Sequence, residues 1–530
     1  MIKLKSTVLL CNFIILCAGS VFVHSQQFTD PYIVPKWLFS IMVVLVIGAY
    51  CSLELLLSKS IRVSLSLIGI SVVVICFLLA VYGLLQYLNI FSIHIKYGIT
   101  GSYDNPAGFA STLCAGLPFI GFLSLYVKYK YIRFIRWGIF VVIVAAVILS
   151  QSRAGIFSIA VVVVIHLFRQ LREKKALKYF LLCGLFLSFL YCYWMKKDSA
   201  DGRLLIWRCG VDMVEDAPWT GHGVGSFEAR YMDYQAAYFR QHKQDCFSML
   251  AGNVKQPFNE FLKVLFNFGI LGLVALFTLI GILVYCYQKN PDTEKKIAFY
   301  SLILIGVFSL FSYPFTYPFV WIITIFDIFI IMREYLNRYL CVTDWARKIL
   351  CIFVLISIFA GSYKLLMRIE TEIKWNALAM SEIKYLDDKD LLTYAKLKKR
   401  LGDNPYFLYN YAVVLLEKEQ YEESLQISLR CRRCWADYDL ELLIGENYQR
   451  VKRPVLAEKY YNSALMMCPS KFTPLYKLFS LYKECGEEQQ ACDIAKAIIR
   501  KPMKIATLNI RMIKKEMEKE VRRRESNASH

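Results

Sequence analysis

The sequence predicts an all-α protein: a polytopic membrane helical bundle of about eleven spans followed by an α-helical tetratricopeptide-like solenoid. Hydrophobic residues make up 57% of the 530-residue chain, whereas soluble domains usually hold about 45–50%. The excess is gathered into runs of about 17–25 residues, the length that crosses a bilayer. Residues 405–505 instead repeat with a period of 33–34.

The apolar runs are 7–23, 37–57, 63–88, 106–127, 137–150, 154–168, 179–195, 258–287, 298–313, 317–332 and 349–363. The first resembles a signal peptide, with Lys3 and Lys5 ahead of it, but residues 18–25 offer only a weak cleavage site. The pair at 137–150 and 154–168 is short, and Arg153 between them favours two spans over one re-entrant pair.

A cytoplasmic N-terminus puts twenty Lys and Arg on inner segments, among them Lys59, Arg62, Lys128, Lys130, Arg133, Arg136, Arg169, Arg172, Lys295 and Arg333. The short outer segments keep only Lys36, Lys96 and Arg153. This is the positive-inside asymmetry. It accounts for much of the +21 net charge without nucleic acid, and membrane lipids become the expected surroundings. The long loop 196–257 and the tail then face outward, which in a Gram-negative inner membrane is the periplasm. The expected division is a transmembrane domain over 1–364 that includes this loop, and an extracytoplasmic repeat tail with a basic end over 365–530.

Cysteine use does not suggest a disulfide scaffold, since most thiols lie in or beside spans, where Cys behaves as a small hydrophobe. Cys209 and Cys246 share the outer loop and are placed either to pair or to remain thiols. Cys431 and Cys434 form a single CxxC without the second pair a zinc site needs. In the tail, Ser424, Ala457 and Ala491 recur where two helices of one repeat touch. Gly445, Tyr448, Tyr461, Ala464 and Pro469 fit the tetratricopeptide pattern. Residues 368–401, with Trp375, read as a further degenerate helical pair. The array serves either as a stabilising cap or as a docking surface for a partner protein.

Polar residues at the outer face carry the chemistry. Tyr103, Asp104, Asn105 and Pro106 precede the fourth span; they form a helix-opening turn, or Tyr103 and Asn105 line a sugar-binding mouth. Arg153 lies outside against the charge trend, where an Arg is costly and calls for an anionic partner or lipid phosphate. Arg203 and Trp207 share one helical face at the start of the large loop, beside Arg208; an amphipathic surface helix is the plain alternative. Residues 196–256 balance eight basic against eight acidic groups, so selected arginines must do any anion binding. His222, Gly223 and Gly225 belong to a glycine-rich turn, by itself weak for phosphate binding. Asn259 and Glu260 lead into the next span, ahead of Gly269 and Gly272, two glycines that suit helix packing.

The order of these motifs resembles the O-antigen ligase and polymerase superfamily, which includes protein O-oligosaccharyltransferases. They run Asn105-Pro106, Ser152-Arg153-Ala154-Gly155, Gly202-Arg203 with Trp207, Gly221 to Phe227, and Asn259 with Gly269 and Gly272. The resemblance spans roughly 60–335, and the repeat tail is similar to that of members from Bacteroidetes. It implies a membrane glycosyltransferase of GT-C-like fold. Such an enzyme takes glycan from undecaprenyl diphosphate and passes it to an acceptor hydroxyl on lipid A core, a growing chain or a protein. Arg153 and Arg203 match the family's diphosphate-contacting arginines, and Asn259 the Asn of its His-Asn motif. Asn105, Tyr103, Trp207, Arg208, Gly223 and Gly225 would then bind substrate.

Phe258 stands where the family has His, and phenylalanine cannot accept a proton. Glu260 and His222 are the alternative bases, and the departure shifts weight from lipid A ligation toward chain polymerisation or protein glycosylation. No metal or cofactor is expected, because arginine can take the charge of the leaving diphosphate. A lipid-linked glycan transporter and a non-enzymatic scaffold are the readings from other classes.

Overall fold

Each of the eleven apolar runs is helical in the computed structural model, that at 106–127 as two helices joined by a 3-10 turn; the structure describes residues 2–57, 64–92, 98–126, 131–171, 174–242, 245–339 and 343–528. Lys59, Arg62, Lys96, Lys128, Lys130, Arg172 and Lys243, counted above in the charge arguments, lie outside the described residues. The regular elements are all helices. The first eight are α1 Ile2–Phe22, α2 Val34–Leu57, α3 Leu65–Tyr87, α4 Pro106–Gly116, α5 Ile120–Tyr126, α6 Ile132–Leu149, α7 Arg153–Gln170 and α8 Lys175–Trp194. Two outer-loop helices follow, α9 Lys197–Asp216 and α10 Ser226–Gln241, then α11 Glu260–Lys289, α12 Thr293–Ser309, α13 Pro318–Tyr339 and α14 Asp344–Met380. The tail contributes α15 Asp388–Leu401, α16 Pro405–Glu417, α17 Tyr421–Arg432, α18 Tyr438–Arg450, α19 Pro454–Met467, α20 Thr473–Glu484, α21 Glu488–Arg500 and α22 Leu508–Ala528.

Among the described residues, eight helices are long and apolar enough to cross a membrane. The other three runs fall short for local reasons. The described apolar part of α1 is Thr7–Phe22, α12 has 17 residues, and α13 carries Asp327, Arg333 and Glu334. The charges of α13 are matched at its end: Lys295 is buried and donates to Asn290 O and Glu334 Oε1 at 2.9 Å each, while Arg333 pairs with Asp292 and Glu294. A second departure concerns α14. The last span and the first half of the expected degenerate pair are one 37-residue helix, with Trp375 inside it.

The chain forms two compact units. One holds residues 1–195, 258–261 and 274–377; the other holds 196–257, 262–273 and 378–530. In the first, small residues allow close helix approach, as expected where lipid removes the hydrophobic drive between helices. A Cβ at Gly116 would lie 2.2 Å from Cys76 Sγ, and one at Gly69 would lie 2.4 Å from the Phe122 ring. Lys36, counted above among the outer charges, is buried, and its Nζ donates to Val23 O (2.8 Å) and Ser102 O (2.7 Å).

In the second unit the repeats pair as expected. Ser424, Ala457 and Ala491 are buried, and Ser424 Oγ donates to Ala412 O at 2.7 Å. Gly445 faces the Tyr461 ring, which a Cβ would meet at 2.6 Å. Helix α9 buries Leu205, Cys209 and Met213, one stripe at a spacing of four, and leaves Leu204 and Arg208 exposed. Cys209 is buried and Cys246 exposed, and both are free thiols.

Candidate functional site

In the first unit, three of the singled-out segments converge on residues 311–317. Asn105 is the N-cap of α4: its Oδ1 accepts from Ala107 N (2.8 Å) and Gly108 N (3.2 Å), satisfying helix-end donors. Its Nδ2 donates to Asp104 Oδ2 (2.7 Å), Tyr317 Oη (2.9 Å) and Tyr313 Oη (3.4 Å), and Tyr317 Oη donates to Asp104 Oδ1 (3.1 Å). Burial pushes the Asp104 carboxyl above its ordinary range, against the pull of the Tyr317 and Asn105 hydrogen bonds. Tyr103 is only 1% exposed, stands edge-on to Tyr317 at 5.1 Å, and accepts from Thr112 Oγ1 at 2.7 Å, so its ring braces the turn from inside.

The second segment is that of Arg153, the first residue of α7. Ser152 caps this helix by accepting from Gly155 N, and Cys192 Sγ of α8 lies 3.9 Å from Arg153 O. One turn on, Phe157 packs edge-on to Phe311 at 5.6 Å. The third segment is Phe258 to Phe261. The Phe258 ring packs on Tyr313 at 5.4 Å, and Asn259 Oδ1 accepts from Phe261 N at 2.9 Å, at the start of α11 where Glu260 is the first residue. Phe258 (φ +54°) and Gln151 (φ +54°) both take the left-handed region, uncommon outside glycine. Each stands just ahead of a motif residue. Asp104 was named only as part of the turn, and Tyr313 and Tyr317 escaped the sequence reading; the two Tyr-Pro dipeptides within 313–318 were the available signal.

In the second unit the glycine-rich turn has a defined partner. Helix α11 is interrupted at Gly269 (φ +62°, ψ −160°), which leaves carbonyls unpaired before the break and amides unpaired after it. The turn satisfies both. His222 N and Gly223 N donate to Phe266 O and Asn267 O at 2.9 Å each, and Ile270 N and Leu271 N donate to Pro218 O (2.8 Å) and Trp219 O (3.1 Å). Ser226 Oγ adds a bond to Asn267 Oδ1 at 2.9 Å. A Cβ at Gly269 would lie 2.4 Å from Trp219 O, and one at Gly221 (φ +66°) would lie 2.5 Å from Phe268 N. Gly269 is therefore a helix break, not the packing residue its spacing suggested. Gly223 and Gly225 are also left-handed but have open space beside them.

Both ring nitrogens of His222 are engaged, Nε2 with Met213 O at 2.7 Å and Nδ1 with Arg230 Nη1 at 3.2 Å. Arg203 is half-buried on α9. Trp207 Nε1 is buried, with no hydrogen-bond partner among the described residues. Arg208 is exposed and stacks over the Tyr238 ring at 5.1 Å. Of the other loop aromatics, Trp219 is exposed and Tyr231 is buried. Arg153, Asn259 and Glu260 thus belong to the first unit, and Arg203, Trp207, Arg208 and His222 to the second.

A polytopic helical bundle joined to a helical-repeat array, with arginines and a capped helix break beside its spans, defines a class of multi-pass membrane protein. Residues 138–277 match the family described as O-Antigen ligase, which supports a role in glycan transfer at a membrane. The matched stretch includes Arg153, Arg203, the glycine-rich turn, Asn259 and Gly269. No curated protein matches the chain. The crystal structure of yeast Tom70 aligns over 79% of this chain and 89% of its own at 13% identity, with a TM-score of 0.26, too low to bear on fold or function.

Proposed function

We propose that this protein is a glycosyltransferase of the bacterial inner membrane. It passes glycan from undecaprenyl diphosphate to an acceptor hydroxyl at the periplasmic face. The observation that carries the reading is the O-antigen ligase match, which spans both arginines and Asn259. In the reaction the bond between the sugar's anomeric carbon and the diphosphate oxygen breaks, and the acceptor oxygen takes its place. Negative charge develops on the departing diphosphate. Arg153 and Arg203 receive it as planar, charged donors, and Arg153 adds the amides and dipole of a helix N-terminus.

The acceptor hydroxyl must shed a proton, and Asp104, half-buried with a raised pKa, is suited to take it. His222 is less suited, since each ring nitrogen has one bonding site and both are taken, whereas each Asp104 oxygen accepts one side-chain bond and keeps a further lone pair. The shared unit of outer loop and repeats supports a common side for both. Of the four helices between them, α11 and α14 are long and apolar enough to cross a membrane, an even number. The positive-inside asymmetry supports the periplasm as that side.

The test is complementation of a deletion strain. Arg153→Ala and Arg203→Ala should abolish glycan transfer at normal membrane abundance, a loss of about 10²–10³ for one preorganised donor. Arg203→Lys should also lose most transfer, because the bidentate fork is gone. Normal transfer by either alanine variant would refute the assignment. The product identifies the acceptor: long unlinked chains on deletion mean a ligase, single repeat units a chain polymerase, and lost glycoprotein alone a protein glycosyltransferase.

A further inference from the structure

Residues 251–257, which lead into Asn259, form no helix or strand. An extended stretch without its own hydrogen-bond ladder loses backbone freedom at every residue that is fixed, so its order has to come from outside. Here it comes from α10 and the repeats. Gln235 Nε2, fully buried, donates to Gly252 O (3.0 Å) and to Met467 O (2.6 Å) at the end of α19. Asn253 Nδ2 donates to Asp437 Oδ2 at 2.8 Å, while Asp437 Oδ1 caps α18 by accepting from Asp439 N at 2.8 Å. Lys255 Nζ lies 4.8 Å from the Tyr406 ring centre and 4.9 Å from that of Trp435, which Tyr409 buttresses edge-on at 5.6 Å. Arg432 ties α10 to the array by pairing with both Asp233 and Glu441.

The repeats therefore hold a lysine of their own chain, four residues before Asn259, over two adjacent rings whose centres lie 5.3 Å apart. A charge held over a ring pair is fixed in direction as well as position, because the attraction follows the ring face. We infer that the repeat array is an internal brace for the transfer reaction. Tyr406, Trp435 and Asp437 are its positioning residues, holding 253–255, the stretch of chain that runs into Asn259. The inference rests on the transferase reading for its functional half, and it assigns this edge of the repeats to the chain itself.

The test uses the full-length protein in native membranes, with lipid-linked glycan as donor and two readouts. Limited proteolysis reports whether 250–257 is protected, and glycan transfer is followed at varied donor. Lys255→Ala and Trp435→Ala should each open the segment to protease. Lys255→Ala should lower the transfer rate about tenfold, as expected for loss of two cation–ring contacts, and Trp435→Ala, which removes one of the two, by a smaller factor; neither should shift half-saturation for donor by more than about twofold. The double variant should be no worse than Lys255→Ala alone, because removing the lysine already removes its contact with Trp435. Lys255→Arg and Trp435→Phe should restore protection and rate. Unchanged protection and rate in the alanine variants, additive losses in the double variant, or a loss confined to donor half-saturation would each overturn the brace. Lost protection in Trp435→Ala, with wild-type protein that transfers no glycan, would overturn the transferase reading instead.

Discussion

Replacing Gly269 by alanine isolates the helix break. Its φ of +62° and ψ of −160° fall in a region that is essentially reserved for glycine, and forcing another residue there costs about 1–3 kcal/mol. The new methyl would also lie 2.4 Å from Trp219 C and O and 2.6 Å from Thr220 N. These are backbone atoms, so no side-chain rotation relieves the contact. Moving the turn away breaks the bonds from Ile270 N and Leu271 N to Pro218 O and Trp219 O, each worth about 0.5–1.5 kcal/mol net. Summed, Gly269→Ala should destabilise the loop unit by about 2–6 kcal/mol. Gly281→Ala, in the same helix with open space around it, should change stability by less than about 0.5 kcal/mol. Thermal unfolding of the purified full chain, followed by tryptophan fluorescence, measures both. Equal melting temperatures for Gly269→Ala and Gly281→Ala would refute the argument that the turn and the broken helix cap one another.

Two further outcomes can be checked directly. Asp104→Asn should lower transfer by about 10²–10⁴ if the carboxylate takes the acceptor's proton. Because burial raises its pKa, the ionised form is lost as pH falls through a value above the usual ~3.9, so wild-type activity should decline on the acid side at a correspondingly higher pH. An asparagine variant with the same rate and pH profile would sink this role. Cys246, exposed and free, should react with a maleimide in the folded, purified protein, whereas buried Cys209 should stay unlabelled until unfolding; the reverse pattern would contradict the loop fold.

The spans were legible because a bilayer leaves apolar length as the main requirement, and all eleven runs became helical. The repeats were legible because Ser424, Ala457 and Ala491 must be small where helices touch. What escaped was anything dependent on pairing across long separations. Lys36 looks like an outer charge until Val23 O and Ser102 O are brought to it. Gly269 and Gly272 have the spacing of a packing motif, and only the approach of Trp219 reveals that Gly269 breaks the helix. Tyr313 and Tyr317 sit in a loop between spans, and nothing local ties them to Asn105, more than 200 residues earlier. The Asn105 turn itself followed the plainer of its two sequence readings, with Pro106 opening α4.

The joint between the outer loop and the array has a consequence for biogenesis. Gln235 meets Met467 across 232 positions, and Arg432 meets Asp233 across 199. At about 5–20 residues per second of synthesis, the newly made loop would wait roughly 10–50 s for its mates to emerge from the ribosome. During that interval the surfaces of α10 later covered by α19 face water, and a holdase chaperone would have its one opportunity to shield them.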